Sequence, residues 1–201
     1  MPDVGDFYTL SKEQILSEVM LSKPMFFEGG GVTFTGGEAT LQFESLTEII
    51  KSLKKDGISV AIETNGTNKN LPDLLPLLNH IIIDLKHPNC KNHKETTGVS
   101  NEVIKTNILL AAKSGADLLI RVPLIGGFNT AENHINGFLE FLKSVKGEKV
   151  KVEVLKYHEY GKDKWEKCNL EYKMKDAFVP EEVRRDFEEK IKSAGLTVVR
   201  T

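Results

Sequence analysis

The sequence predicts an α/β fold, in the form of a partial (β/α) barrel, from three features of its 201 residues. Short strand-like runs alternate with helical patterns, which is typical of parallel βαβ units. The runs are almost continuously apolar, as expected for a sheet covered on both faces or for a barrel wall. A full eight-stranded barrel usually needs about 250 residues, so five or six strands favour a partial barrel over an open doubly wound sheet.

The elements follow one another in a regular order. The first helix begins at Ser11, because Gln14 three residues later completes a capping box. A β-branched and aromatic run, residues 32–35, comes next. Leucines and isoleucines at helical spacing then mark a helix over residues 46–53, which Gly57 ends.

The remaining elements repeat this alternation to the end of the chain. Helical patterns are expected in four further segments, the first of them short and interrupted by a proline: residues 71–78, 101–114, 135–142 and 183–191. Strand-like runs occupy five segments: residues 58–64, 80–86, 117–125, 151–158 and 196–200. We interpret residues 1–201 as a single domain without a linker or a repeat.

Composition narrows the class of protein. The formal net charge of −2 argues against a nucleic-acid-binding face or a basic membrane patch. No apolar run approaches the roughly 20 residues that span a bilayer, and the acidic, polar start does not resemble a signal peptide. The two cysteines, Cys90 and Cys168, form neither a disulfide framework nor a metal-ligand spacing. We therefore expect a cytoplasmic protein with free thiols.

Polar residues follow the strand-like runs, where α/β folds place their chemistry. Five successive strand ends carry glycine, acidic or basic residues, which we take as candidate site residues: Gly36, Gly37, Glu38, Glu63, Asp84, Lys86, Arg121 and His158. Glycine lets backbone approach a ligand closely, a carboxylate accepts from an ammonium group, and a cation binds a carboxylate. Together these groups suit a ligand with an amino-acid end.

Each of these residues also has a plainer interpretation. Glu38 could sit near a helix N-terminus, where a carboxylate is favoured, and His158 could be an ordinary rim histidine. Asp84 and Lys86 share one strand face and form either a surface ion pair or a functional pair. Arg121 lies in an apolar strand and needs an anionic partner, which is either Asp84 or a ligand carboxylate.

Motifs in order along the chain resemble the glycyl-radical enzyme activating enzymes of the radical S-adenosylmethionine (SAM) superfamily, above all the pyruvate formate-lyase activating enzymes. The segment GGGVTFTGGEATLQ, residues 29–42, resembles the glycine-rich motif that binds the SAM amino group. Further matches follow in the family's order: IETNG, DLKH, TGVSN, RVPLIGGFN and LKYHEYGKDKW. The resemblance starts near Tyr8 and continues to the C-terminus.

The resemblance implies a partial (β/α)6 barrel of radical SAM type. It implies that Gly36, Gly37 and Glu38 receive the SAM amino group. It places five further residues in or near the SAM pocket: Asp84, Lys86, His158, Glu63 and Arg121. In the family, a 4Fe–4S cluster donates an electron to SAM, and the 5′-deoxyadenosyl radical removes hydrogen from a glycine of a partner enzyme. The implied partners are a pyruvate formate-lyase-like enzyme and a flavodoxin or ferredoxin as electron donor.

The family's cluster motif, Cys-x-x-x-Cys-x-x-Cys, does not occur in these 201 residues. Three thiolates are needed to bind three irons and leave the fourth open for SAM. We therefore expect a truncated core without the family's first strand and cluster loop, with no metal ligands and no catalytic residue of its own. The run 32–35 would then be an exposed edge strand, which favours dimerisation.

Two alternative functions stay open. The chain could be a module that binds SAM or a partner protein without chemistry. It could also be a barrel aldolase that uses Lys86 as a Schiff-base nucleophile. Such a lysine must be a neutral amine to react, and neighbouring Asp84 favours the charged form.

Overall fold

The computed structural model describes residues 9–172 and 174–200, and its centre is a parallel sheet of six strands. The strands are β1 (Gly31–Phe34), β2 (Ser59–Thr64), β3 (His80–Asp84), β4 (Asp117–Leu124), β5 (Val150–Lys156) and β6 (Thr197–Val199). Each strand pairs in parallel with the next along the chain, from β1 to β6. A doubly wound sheet would reverse its strand order, so the sequential order confirms the predicted partial barrel.

Helix α1 precedes β1, and α-helices occupy the described crossovers except the one between β2 and β3. The described residues include α1 (Lys12–Ser22), α2 (Phe43–Lys55), α3 (Cys90–Thr97), α4 (Glu102–Lys113), α5 (Glu132–Ser144), α6 (Lys162–Lys167) and α7 (Glu181–Ser193). The capping box predicted for α1 is present, with Ser11 and Gln14 bonded to each other's backbone.

The segment predicted as a short helix interrupted by Pro76 is interrupted there, but its two parts are 3-10 turns and not α-helix. These turns are Leu71–Asp73 and Leu75–Leu77, and each has a proline in its first two positions. Proline has no N–H and clashes with the preceding turn, so Pro76 prevents a continuous helix. Helices α3 and α6 were not predicted from the sequence.

Burial alternates along the strands and defines two faces of the sheet. In β2 and β4, every second residue is buried and its neighbours are half-buried. The buried face of the sheet packs against the helices. The helix side chains buried in this core include Leu53 of α2, Ile108 of α4 and Phe138 of α5. The second face is partly exposed and holds the polar side chains, as expected for the inner wall of a partial barrel.

Strand β1 lies at one edge of the sheet. Within the described residues, β2 is its one strand partner. This agrees with the edge position expected for this run, and association of two chains through it stays a prediction. None of the helices in the described part of the chain is both long and apolar enough to cross a bilayer.

The burial of Leu53 in α2 and the exposure of Leu41 before α2 predict different losses of stability when each is replaced by alanine. Leu53 is fully buried, whereas Leu41 is 82% exposed. We expect Leu53→Ala to lower the free energy of unfolding by about 2–5 kcal/mol, because it leaves a cavity in the core. The control, Leu41→Ala, should change it by less than about 0.5 kcal/mol. Urea unfolding measures both variants, and equal losses would contradict this description of the core.

Candidate functional site

The parallel sheet brings the candidate residues to the edge that is formed by the carboxyl ends of its strands. Glu38 follows β1, Glu63 lies at the end of β2, and Asp84 ends β3. Arg121 is the register partner of Asp84 across the β3–β4 ladder. His158 follows β5 by two residues. Because parallel strands all end at the same edge, residues distant in sequence become neighbours there.

The Glu38 carboxylate joins the ends of β1 and β2. It caps the 3-10 helix Ala39–Gln42, where Oε1 accepts from the Thr40 N–H at 3.1 Å and the Thr40 hydroxyl at 2.5 Å. The Thr64 hydroxyl also donates to Oε1 at 2.6 Å, and the Asn65 N–H donates to Oε2 at 2.7 Å. The helix N-terminus proposed for Glu38 is therefore present, and a tie to the next strand adds to it.

These hydrogen bonds keep Glu38 ionised. Burial on its own would raise the pKa of the carboxyl, but donors from Thr40, Thr64 and Asn65 outweigh it and hold the pKa below its ordinary value. Oε1 receives three donors, whereas Oε2 receives one from the described residues. A carboxylate oxygen has two lone pairs, so Oε2 can still accept a hydrogen bond from a ligand.

The glycine pair before Glu38 leaves its backbone accessible. Gly36 has a φ of +129°, a conformation that side-chain-bearing residues rarely adopt. A Cβ placed on Gly36 or Gly37 would meet no described atom within 4 Å. The backbone beside the Glu38 carboxylate is thus open to close approach by a ligand.

The loop after β2 is packed tightly against β3. Gly66 has a φ of +72°, and a Cβ there would lie 2.8 Å from Cγ2 of Ile83 and 3.2 Å from Cγ2 of Ile104. Only glycine fits this position without movement of its neighbours. The tight packing fixes the preceding residue, Asn65, whose N–H binds Glu38.

Asp84 and Lys86 form an ion pair at the end of β3, with Nζ 3.0 Å from Oδ2. They line a cavity of about 290 Å³. Its other lining residues come from the loop after β2, from α3, from the segment that joins α3 to α4 and from α4 itself: Asn65, Thr67, His93, Thr97, Val99 and Ile104. Asn65 lines this cavity, and its N–H binds Glu38, so one residue connects the ends of β1, β2 and β3.

Arg121 has two carboxylate partners, and Asp84 is not one of them. Its Nη1 donates to Glu63 at 2.7 Å and its Nε donates to Glu153 at 2.9 Å. The Asp84 pairing considered from the sequence is therefore wrong, because Asp84 pairs with Lys86. Burial would lower the pKa of Arg121, but hydrogen bonds and charge from Glu153 and Glu63 raise it.

Glu153 was missed by the sequence analysis. It lies inside β5 between two valines and is almost completely buried. A charge inside an apolar strand needs a partner of opposite charge, and Arg121 on the neighbouring strand fulfils that need. The isolated glutamate in VEV was the signal that could have identified it.

His158 lies in a second cavity and not with Asp84 and Lys86. Its ring stacks on Tyr160, with centroids 4.4 Å apart. Both rings line a space of about 490 Å³ together with Tyr157, Phe178 and their neighbours. The structure thus places His158 at the predicted edge of the sheet, and its contact with the same ligand stays a prediction.

The site offers acidic and basic groups but no metal centre. Among the described residues, no group of three histidine, cysteine or acidic side chains could hold a metal ion. Cys90 is half-buried, with Sγ 3.1 Å from the Ser100 hydroxyl, and Cys168 is exposed. The arrangement can therefore bind a zwitterionic ligand through charge and exposed backbone.

The lowered pKa of Glu38 predicts how its stabilising effect depends on pH. This contribution is present above the ordinary carboxyl value of 4.5 and is lost as the pH falls through the lower pKa of the folded state. We expect Glu38→Gln to cost about 1–3 kcal/mol of unfolding free energy at pH 7, and less at pH 3.5. Urea unfolding at both pH values measures this, with exposed Glu44→Gln as the control. A cost that stays constant in acid would contradict the prediction.

Comparison with known proteins identifies the family. The model of the radical SAM superfamily matches residues 2–142. The 4-hydroxyphenylacetate decarboxylase activating enzyme of Clostridioides difficile strain 630 is 36% identical over 151 residues, covering 73% of this chain and 47% of the relative. The pyruvate formate-lyase-activating enzyme of Clostridium pasteurianum is 33% identical over 169 residues, covering 83% of this chain and 71% of the relative.

A solved structure shares the fold at similar identity. A domain of the pyruvate formate-lyase-activating enzyme of Bacteroides vulgatus ATCC 8482 has a TM-score of 0.69 and 31% identity, covering 85% of this chain and 98% of that domain. The chain spans about half the length of the Clostridioides difficile relative. On these similarities, the chain belongs to the radical SAM superfamily, among the glycyl-radical enzyme activating enzymes.

Proposed function

We propose that this chain is the SAM-binding part of a glycyl-radical enzyme activating enzyme. The observation that carries the proposal is the connection of polar residues at the ends of β1, β2 and β3. There Glu38 is joined to Asn65, and Asn65 shares a cavity with Asp84 and Lys86. SAM carries an ammonium and a carboxylate on its amino-acid end, and this site offers a partner for each.

The residues of the site fit that end of SAM. Oε2 of Glu38 accepts a hydrogen bond from the ammonium group, and the open backbone of Gly36 and Gly37 lets the ligand approach. Lys86 binds the carboxylate, and Asp84 orients the Lys86 ammonium. These are charge-assisted hydrogen bonds, which are stronger than neutral ones.

Three further predicted residues surround this centre. Glu63 and Arg121 are already paired with each other, so we assign them the role of a rigid, charged wall beside the pocket. His158 and its stacked partner Tyr160 present aromatic faces at the end of β5, and we assign His158 to the nucleoside side of SAM.

Within the family, bound and reduced SAM supplies a 5′-deoxyadenosyl radical that removes hydrogen from a glycine of the partner enzyme. A 4Fe–4S cluster delivers the electron, but the residues of this chain do not fit such a cluster. The sequence has two cysteines in total, and three thiolates are required. We therefore propose that these 201 residues bind SAM but do not cleave it without a cluster-binding segment.

The names of the relatives indicate the class of partner. The similar proteins are activating enzymes for 4-hydroxyphenylacetate decarboxylase, pyruvate formate-lyase and choline trimethylamine-lyase. We propose a glycyl-radical enzyme of this class as the partner, with a pyruvate formate-lyase-like enzyme first among the candidates. A cytoplasmic flavodoxin or ferredoxin is the proposed electron donor.

The second candidate is a module that binds SAM or a partner protein without chemistry. The same site supports it, since the binding groups described above do not involve iron. The aldolase alternative has less support, because the ion pair between Lys86 and Asp84 stabilises the ammonium form. A Schiff-base lysine reacts as the neutral amine.

The proposed site predicts a selective loss of SAM binding. We expect Lys86→Ala to weaken SAM binding at least about tenfold, since a charge-assisted hydrogen bond is worth about 1.5–3 kcal/mol. Lys149→Ala is the matched control, because Lys149 is also ion-paired. Its Nζ lies 3.8 Å from Oδ1 of Asp117, at the amino-terminal ends of the strands, away from the proposed site. Calorimetric titration of SAM into each protein gives the affinities. The proposal fails if the unaltered chain does not bind SAM, or if both variants lose affinity equally.

Reconstitution separates binding from chemistry. After incubation with iron and sulfide under anaerobic conditions, we expect no 4Fe–4S absorption and no 5′-deoxyadenosine from SAM and dithionite. The Clostridium pasteurianum relative, treated in parallel, serves as the positive control. Formation of 5′-deoxyadenosine by this chain above the background of a heat-denatured sample would overturn the expectation of inactivity.

A further inference from the structure

We propose that three buried asparagines, Asn101, Asn107 and Asn129, are positioning residues for the candidate SAM site. They are 0%, 2% and 0% exposed. The Nδ2 group of each donates to two backbone carbonyls, which lie in the loops after β2 and β3 and, for Pro123, near the end of β4. The inference rests on the proposed function, because it assigns these residues to the site that binds SAM.

Asn107 of α4 fixes the loop after β2. Its Nδ2 donates to the carbonyls of Gly66 and Asn68, each at 2.9 Å. Asn68 in turn donates through its own Nδ2 to the Thr40 carbonyl at 2.9 Å. The loop that presents Asn65 to Glu38 is thus tied to α4 on one side and to the β1 end on the other.

Asn101, directly before α4, fixes the segment after Lys86. Its Nδ2 donates to the carbonyls of His87 at 2.7 Å and Pro88 at 3.1 Å. The ammonium of Lys105 also donates to the Pro88 carbonyl, at 2.6 Å. The side chains of Asn101 and Lys105 therefore fix the backbone that follows the Asp84–Lys86 pair.

Asn129 joins the ends of two strands through one carboxamide. Its Nδ2 donates to the Lys86 carbonyl at 2.9 Å and to the Pro123 carbonyl at 2.7 Å, and its Oδ1 accepts from the Ile125 N–H at 2.8 Å. Both N–H groups and the oxygen are thereby used. The backbone of Lys86 is held at a fixed position relative to β4 before any ligand arrives.

Asparagine suits this task for a chemical reason. Loop carbonyls next to the sheet have left the ladder, and a buried carbonyl without a donor costs about 1–3 kcal/mol. A carboxamide carries two N–H donors on one nitrogen and can satisfy two carbonyls at once. An aspartate of the same shape would instead place a charged oxygen against them. The three residues therefore preorganise the loops, which lowers the cost of ordering them on binding.

The test uses Asn129→Asp in the full chain, with SAM as the probe. At pH 8 we expect at least a tenfold loss of SAM affinity, measured by calorimetry relative to the unaltered chain. At pH 5.5 the loss should be at least about threefold smaller, because burial raises the pKa of the introduced carboxyl, and its protonated form donates one of the two lost hydrogen bonds. Comparison of the two pH values tests whether the donated hydrogen bonds, and not the change of residue as such, set the affinity.

The matched control is Asn79→Asp, which lies directly before β3, at the amino-terminal ends of the strands. Oδ1 of Asn79 accepts from the Val60 N–H at 3.1 Å and from the Lys54 ammonium at 2.8 Å, and a carboxylate can still accept both. We expect this control to bind SAM within about twofold of the unaltered chain at both pH values. Equal affinities of the Asn129 and Asn79 variants would overturn the inference.

Hydrogen exchange covers the remaining outcomes. We expect amides of residues 85–89 and 124–128 to exchange faster together in Asn129→Asp at pH 8, with the exchange of the core strands unchanged.

If the unaltered chain does not bind SAM, the proposed function fails, and coupled exchange alone decides the positioning role. If Asn129→Asp does not fold, Asn107→Asp replaces it, with residues 65–69 as the reporting loop. Unchanged exchange in the reporting loops would overturn the inference.

Discussion

The parallel direction of all six strands is the constraint on which the candidate site depends. It requires a crossover after every strand, and the crossover helices cover one face of the sheet. It also brings every strand's carboxyl end to a single edge, where Glu38, Asp84 and Arg121 all lie although 83 positions separate the first from the last. The apolar positions that pack the helices and the polar positions that form the site are therefore consequences of the same geometry.

The charges at this edge are stable because each is matched before a ligand arrives. Glu38 receives donors from two strand ends, Lys86 pairs with Asp84, and Arg121 lies between Glu63 and Glu153. A buried charge without such partners would cost several kcal/mol. Matched charges also hold their side chains in one conformation, so the site is polar and ordered at the same time.

Local patterns predicted most of the fold, and the misses share a cause. The six strands and the helices with an apolar stripe were expected near their observed positions. Helices α3 and α6 were missed because their sequences, CKNHKETT and KDKWEK, lack the apolar repeat that marks a packed helix. Residues 71–78 were expected as a short helix interrupted by Pro76, because their leucine spacing is helical, whereas the two parts are 3-10 turns. In each case local sequence was judged without its tertiary contacts.

The sequence indicated that polar residues gather at the strand ends and that Asp84 can pair with Lys86, but it did not reveal the partners of Arg121. Glycine, acid and base at strand ends are visible in sequence, whereas the partner of Arg121 depends on which side chains the register places on the inner face. The supporting groups, such as Thr64 and Asn129, resemble ordinary loop residues until their contacts are known. The groups proposed to bind the amino-acid end of SAM lie at the ends of β1, β2 and β3, and none of them is a thiolate. In the proposed function, this chain supplies groups for recognition of SAM, and delivery of the electron is assigned to a cluster that its two cysteines cannot hold.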